Sequence, residues 1–406
     1  MSTSSIPHTA PRTRQVLAAV IGNALEWYDF VVYAAVSVII ARLFFPHASD
    51  YAALMLTFAT FGAGFVMRPV GGIVLGLYAD RKGRKAAMQL IMLLMTVAVA
   101  MVAFAPDYAA IGIGAPVLIV LARLLQGFAA GGEFSSATSF LFEIAPAHRR
   151  GFYGSLQMIG QVGAALGGAA VGALVTQNLN AAQIEGWGWR LPFLAGLLIG
   201  PVGLYIRRHL EETDEFRGVL AGAAVPAGVT TVLHEHARAV LVSFLLVVGG
   251  TSTYYVVLLY MPSYARMQLG LPLAQALLAQ TIALTWMLFV TPLCGAVSDR
   301  IGRKPVLLAA TIGFFVLPYP LLHWLQGAPS FSHLLMLQLG LCTPIAAYFG
   351  VYCTTMAEQF PTHVRSTGMG IAYNFAVMLF GGFAPFLITW MIALTGSTSV
   401  PAAIVE

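Results

Sequence analysis

The sequence predicts an all-α integral membrane protein made of two parallel six-helix halves. Three observations carry this. Apolar residues make up 59% of the chain and charged residues only 9%, against about 25% charged in a soluble protein. Apolar runs of about 20 residues or more recur from about residue 16 to residue 394, each long enough to cross a ~30 Å hydrocarbon core as a helix. The string G-x-x-x-D-R-x-G-R-K occurs twice, as Gly76–Lys85 and Gly295–Lys304, each time between two long apolar runs. A second pair agrees: Glu143 precedes Arg150 by the same seven residues that separate Glu358 from Arg365. A half-length repeat in a membrane-type composition marks a carrier of two parallel halves.

The elements follow in order. A polar, Pro-containing tail, 1–15, shows no cleavage pattern and leads into a retained first span at 16–43. Spans at 52–79 and 86–106 flank the first D-R-x-G-R-K loop. Spans at 112–145 and 150–177 flank Arg149 and Arg150. A sixth, 188–207, ends at Arg207 and Arg208, which closes an N-terminal half at 16–207. The longest polar stretch, 208–236, reads as a cytoplasmic linker with a short surface helix. The C-terminal half, 237–406, holds spans at 237–264, 272–298, 304–324, 331–358 and 365–394. The repeat calls for a twelfth span near residue 405, so eleven are expected, with the twelfth missing or truncated and the C-terminus outside.

With the N-terminus in the cytoplasm, most of the 21 Lys and Arg residues fall on the cytoplasmic side, Arg207 among them. Arg42, Arg190 and Arg266 fall outside, and Arg68 and Arg123 fall within helices. That asymmetry orients the chain. It also accounts for most of the net charge of +5 through contact with anionic lipid headgroups, so nucleic acid is not required. Cys294, Cys342 and Cys353 lie in apolar runs with no pairing framework or metal spacing. No H-E-x-x-H, G-x-S-x-G or Walker-type loop occurs, which argues against an enzyme and against ATP-driven transport. No cofactor and no metal are expected, and a monomer is.

At this point the residues resemble the major facilitator superfamily. The twice-used D-R-x-G-R-K loop and R-L-L-Q-G-F-A-A-G-G-E at Arg123–Glu133 are similar to that family's motifs. Within it, G-N-A-L-E-W-Y-D-F at Gly22–Phe30, M-R-P-V-G-G at Met67–Gly72, W-G-W-R-L-P-F at Trp187–Phe193 and the E-E-T-D-E-F after the sixth span resemble metabolite–proton symporters. The stretch Ala52–Gly72, with Tyr260–Arg266 and Phe380–Pro385, resembles the citrate–proton symporters. The resemblance implies proton-coupled symport of an organic acid, citrate or a related tri- or dicarboxylate, at a bacterial-type inner membrane. The alternatives are a zwitterionic osmolyte or monocarboxylate symporter, or a receptor that binds a solute without moving it.

A charge at bilayer depth costs at least ~2.5–3.5 kcal/mol and so needs a partner or a task. Counting ~1.5 Å per residue from the helix ends puts Glu26, Asp29 and Arg123 near the midplane. Glu26 and Asp29 are the expected proton-coupling acids, and Arg123 the expected substrate ligand. A desolvated carboxylate gives up its proton less readily, a nearby guanidinium opposes that, and an anionic substrate can release the guanidinium. Tyr28, Gln157, Gln161, Tyr254, Tyr255 and Asn374 lie within spans and supply further hydrogen-bonding groups for a carboxylate-rich substrate. Arg68 and Glu133 are expected to form a structural charge pair nearer the cytoplasm. In the repeated loops Gly83 and Gly302 permit tight turns, and Asp80 and Asp299 can accept hydrogen bonds from arginines or helix N-termini. The resemblance implies that these loops, with Arg81, Arg84, Arg300 and Arg303, latch the two halves on the cytoplasmic side.

Overall fold

The structure is a computed structural model that describes residues 12–46, 50–208, 211–221, 228–381, 391, 394–395 and 400–405. Every regular element among them is helical. The N-terminal half contains α1 (Arg12–Ala35), α2 (Ser37–Phe44), α3 (Asp50–Lys82), α4 (Arg84–Ala103), the single turn α5 (Tyr108–Ile111), α6 (Gly114–Ile144), α7 (Arg150–Asn178), the short α8 (Ala181–Gly186) and α9 (Leu191–Arg208). The linker contributes α10 (Asp214–Ala221) and α11 (Val229–Glu235). The C-terminal half contains α12 (Ala237–Tyr254), α13 (Met261–Met267), α14 (Leu273–Ile301), α15 (Arg303–Val316), α16 (Pro318–Gly327), α17 (Phe331–Glu358), α18 (Arg365–Ala376) and α19 (Val400–Val405).

Nine helical stretches among the described residues are long and apolar enough to cross a membrane. The expected fifth span is α7, 29 residues long, whose glycines and glutamines dilute its hydropathy. It packs between α1 and α14. Several spans are broken where the backbone loses a donor or gains a residue. α15 stops at Val316 and α16 restarts with Pro318 in its first turn, because proline has no N–H to continue the ladder. The seventh span passes through a π-helical stretch, Tyr255–Tyr260, between α12 and α13. A second one, Val377–Gly381, follows α18. Such insertions rotate the following side chains and cluster at functional sites. The eleventh span is described only to Gly381, and near residue 405, where the repeat calls for a twelfth, the described residues form the six-residue helix α19.

The repeat is visible in the backbone. Gly83 has φ 101° and ψ 160°, and Gly302 has φ 91° and ψ 166°. Both loops therefore make the same turn, in a region that L side chains avoid. The halves meet along two main seams, α3 on α18 and α7 on α14.

Candidate functional site

The site is built from α1, α3, α6 and α7 of the N-terminal half and from α12, α17, α18 and the two π-helical stretches of the C-terminal half. Glu26, Asp29, Arg68 and Arg123 are each at most 2% exposed. They form two pairs, where the sequence suggested one cluster around Arg123. Arg123 Nη1 donates to Asp29 Oδ2 at 2.7 Å, and the Tyr33 ring covers its guanidinium at 3.6 Å. Glu26 Oε1 accepts from Arg68 Nη2. Successive helical residues turn by about 100°, so side chains three apart diverge by about 60°. That divergence sends Asp29 toward α6 and Glu26 toward α3.

The expected Arg68–Glu133 pair is not formed. Arg68 belongs to Glu26, and Glu133 belongs to Arg207. α3 runs 33 residues, well beyond the about 20 that cross a bilayer, so counting from its outer end placed Arg68 too deep. Arg207 is not a headgroup-level charge either, being fully buried. Its Nη2 donates to Glu133 Oε1 at 2.6 Å, its Nε to the Ala18 carbonyl at 2.7 Å and its Nη1 to the Met88 carbonyl at 2.6 Å. Gly22 makes room for this pair, since a Cβ there would overlap Glu133 and Arg207.

The contrast between the pairs is chemical. Arg207 bonds with each of its three nitrogens and ties α9 to α1, α4 and α6. Arg68 leaves Nε and Nη1 without a partner, and Arg123 leaves Nε and Nη2, all buried. A saturated pair has no capacity for a further ligand, and an unsaturated one does. Glu133→Gln is therefore expected to cost about 3–5 kcal/mol of stability, because it strands a buried guanidinium. A fall in the Tm of the detergent-solubilised protein, with normal proton coupling in what remains folded, is the result that checks it.

Between the halves a small cavity of ≈ 10 Å³ is lined by Trp27, Gln161, Thr251, Tyr254, Tyr255, Phe349, Tyr352, Tyr373 and Val377. Of the expected ligands, Gln161, Tyr254 and Tyr255 are there. Tyr28 is not: its hydroxyl donates to the Pro192 carbonyl at 2.8 Å, toward α9. Asn374 donates to the carbonyls of Gly131 and Gly370, both at 2.7 Å, and so clamps α18 to α6. Gln157 is buried with both side-chain polar atoms unpartnered, outside the cavity lining. Arg123 is also outside it, and so are Glu26 and Arg68, whose neighbours Tyr255 and Tyr373 line it from the C-terminal half. The Phe134 ring stacks on Tyr373 across the interface at 3.7 Å. Trp27, Phe349, Tyr352 and Tyr373 were not legible as lining residues, because an aromatic in an apolar run carries no mark of which way it faces.

At one end of the bundle both repeated loops join the halves. Asp80 accepts from Arg84 Nη1 at 2.7 Å, from the Ser366 and Thr367 N–H groups at 3.2 and 2.8 Å, and from the Thr367 hydroxyl at 2.6 Å. Asp299 accepts from the Gly151 and Phe152 N–H groups at 2.7 and 2.9 Å, and from Arg303 Nη1 at 2.8 Å. Each aspartate thus caps the first turn of a helix in the opposite half, α18 or α7, where the helix dipole favours negative charge. Arg81 and Arg300 were expected to take part. Both are exposed and form no ion pair among the described residues.

The linker does more than connect. Glu215 accepts from Arg150 at 2.8 Å and from Arg365 at 3.1 Å, one arginine from each half. Glu143 accepts from Arg365 at 2.8 Å and from Arg84 at 3.1 Å. Glu212 caps α4 through the Arg84 and Lys85 N–H groups, each at 3.1 Å. Burial holds the Glu212 carboxyl above the ordinary carboxylate range, against the pull of those N–H groups. The one sequence signal for this role was the acidic E-E-T-D-E-F string, whose carboxylates meet the basic loops only in three dimensions.

Comparison with known proteins accords with this architecture. The sequence profile of the Major Facilitator Superfamily matches residues 19–385. A citrate-proton symporter of Klebsiella pneumoniae is 37% identical over 390 residues, covering 96% of this chain and 88% of the relative. A proline/betaine transporter of Escherichia coli K12 is 33% identical over 404 residues, covering 96% of this chain and 79% of the relative. Among solved structures, the proton:xylose symporter XylE bound to 6-bromo-6-deoxy-D-glucose superposes with a TM-score of 0.81 at 19% identity, covering 97% of this chain and 93% of that one. With its motifs, repeat and fold in agreement, the chain belongs to the Major Facilitator Superfamily and is a multi-pass membrane transporter, not an enzyme.

Proposed function

We propose that this transporter is a proton symporter of the bacterial cytoplasmic membrane, with its N-terminus inside, and that it imports an organic acid, citrate or a related tri- or dicarboxylate. The observation that carries the reading is the Glu26–Arg68 pair where the halves meet, with two guanidinium nitrogens unpartnered. A solute carboxylate that takes those N–H groups competes with Glu26 for the same cation. Glu26 then sits in a low-dielectric site with weakened compensation, and it takes up a proton. When the solute leaves on the other side, Arg68 returns to Glu26 and the proton is released. Arg68 therefore replaces Arg123 as the proposed anion ligand. The 37% identity to citrate-proton symporters favours a polycarboxylate.

One observation favours a second reading, a zwitterionic osmolyte. The cavity is walled by aromatic rings: Trp27 lies 6.1 Å from Tyr254, Tyr254 lies 5.5 Å from Phe349, and Phe349 lies 5.4 Å from Tyr352. Such walls accept quaternary ammonium groups, and a betaine carries both that group and a carboxylate.

Counterflow in proteoliposomes separates the readings. Labelled citrate should exchange against unlabelled tri- and dicarboxylates. Exchange of glycine betaine with citrate inert would select the second reading. Binding of either solute with no exchange at all would leave a receptor and overturn the transport mechanism.

A further inference from the structure

A groove of ≈ 330 Å³ runs along the surface of the C-terminal half between α12 and α18. Every residue that lines it is apolar, among them Val240, Leu241 and Phe244 of α12, Ile371 and Phe375 of α18, and Leu233 of α11. Leu233, Leu241 and Phe375 are exposed, so the groove opens outward along a helix that spans the membrane. At a rise of ~1.5 Å per residue, the stretch from Ala237 to Phe244 carries it ~10 Å along the helix. No residue of α19 lines it, because α19 packs on α16 and on another part of α12.

The mouth of the groove lies at the end of the bundle where Asp80 caps α18, and there the charge is positive. The His236 ring, at the start of α12, lies 6.5 Å from the ring of His363, just before α18. Arg238 follows the lining residue Ala237 and sits one turn from Leu241. It is exposed and forms no ion pair among the described residues. Glu235 is the one acid of α11, against His234 on the same helix and His236 and Arg238 beyond it. An apolar channel between spans with a basic mouth fits a lipid whose phosphate meets the bases and whose chain lies below.

The same place bears on the seam between the halves. Val232 of α11 is fully buried among Val364 and Ile371 of the C-terminal half and Ile73 of α3. A molecule held by Leu233, His236 and His363 therefore holds α11 across the α3–α18 seam that Asp80 latches.

We infer that this groove binds one anionic phospholipid of the inner leaflet, its phosphate at Arg238, His236 and His363 and an acyl chain between α12 and α18, and that occupation favours the outward-facing state. The leaflet and the direction of the shift rest on the orientation proposed above; the binding does not.

The binding test needs neither a solute nor an orientation. Delipidated protein in neutral detergent is offered phosphatidylglycerol and phosphatidylcholine with the same chains, and retained lipid is read by native mass spectrometry. Phosphatidylglycerol should be retained about tenfold better. Arg238→Gln, His236→Gln and His363→Gln combined should bring it down to the phosphatidylcholine level while the lipid-free Tm stays close to the parent's. Leu241→Trp, which fills the groove from its exposed side, should lower retention of both lipids. Lys304→Gln, an exposed base at the other repeated loop, should leave the preference intact. Equal retention of the two lipids, a preference that survives the triple variant, or its loss in Lys304→Gln overturns the site. Displacement by soluble glycerol phosphate would make the ligand a free phosphate ester and overturn the lipid. A dimer that forms without lipid and is abolished by Leu241→Trp would give the groove to a second copy instead. The second test uses a Ser139→Cys reporter at the closed seam, in a chain whose native cysteines are replaced. Its reaction with an uncharged, impermeant maleimide should be severalfold slower in vesicles containing phosphatidylglycerol than in phosphatidylcholine alone. The triple variant should show no such difference. Equal rates in the parent would overturn the link to the seam.

Discussion

Glu26→Gln is expected to flatten the pH dependence of solute affinity and to lower the accumulation reached under a one-sided pH gradient by about tenfold or more, while counterflow continues. Glutamine is close to an isostere of the protonated acid. It can stay beside Arg68 and leave the cavity shape intact, so the solute still enters and leaves. What is lost is the exchange of one cation between two carboxylates. In the parent, a solute that draws Arg68 away favours a proton on Glu26, so affinity should rise as external pH falls. In the variant nothing titrates at that position and the dependence disappears. Solute binding measured across a pH series, beside counterflow in the same vesicles, checks both halves of the expectation. A variant that accumulates solute like the parent and keeps the parent's pH profile would mean that Glu26 and Arg68 are a permanent strut.

Asp80→Asn should produce the second large effect, on the balance between outward- and inward-facing states rather than on the site. Asp80 is buried and holds four donors, three of them on the first residues of α18. Hydrogen bonds to a charged group contribute about 1.5–3 kcal/mol. Their weakening should shift the equilibrium toward the inward-facing state by about 10- to 100-fold. Ser139 reports it, because its hydroxyl lies 3.1 Å from that of Ser366 across the closed interface. In a background without the three native cysteines, Ser139→Cys should react with an impermeant thiol reagent from the cytoplasmic side far faster once Asp80 is Asn. Turnover should fall at the same time. An unchanged labelling rate with weakened solute binding would give Asp80 a role in the site instead. Asp299→Asn should act in the same direction and less strongly, since its partner Arg303 is 16% exposed and solvent already screens the pair.

The sequence by itself determined the membrane class, the two-half repeat and the short list of buried charges. These follow from local chemistry. An apolar run of sufficient length must become a helix in lipid, and a duplicated D-R-x-G-R-K loop with glycine at the same place must make the same turn twice, as Gly83 and Gly302 do. An ionisable residue inside such a run is costly wherever it lies, so Glu26, Asp29, Arg68, Arg123 and Glu133 stood out without any fold. Only the tertiary structure decided which acid meets which base. A one-dimensional count along upright helices gave Arg68 to Glu133 and left Arg207 among the headgroups, whereas packing against Gly22 brings Arg207 to Glu133 and leaves Arg68 for Glu26. The direction of each side chain around its helix was equally out of reach. Tyr28 and Tyr255 look alike in the sequence, yet one bonds to Pro192 within its own half and the other lines the cavity between halves. The physical reason is the same in both cases. Lipid selects for apolar length but is indifferent to rotation and register, and those are set by contacts between helices far apart in the chain.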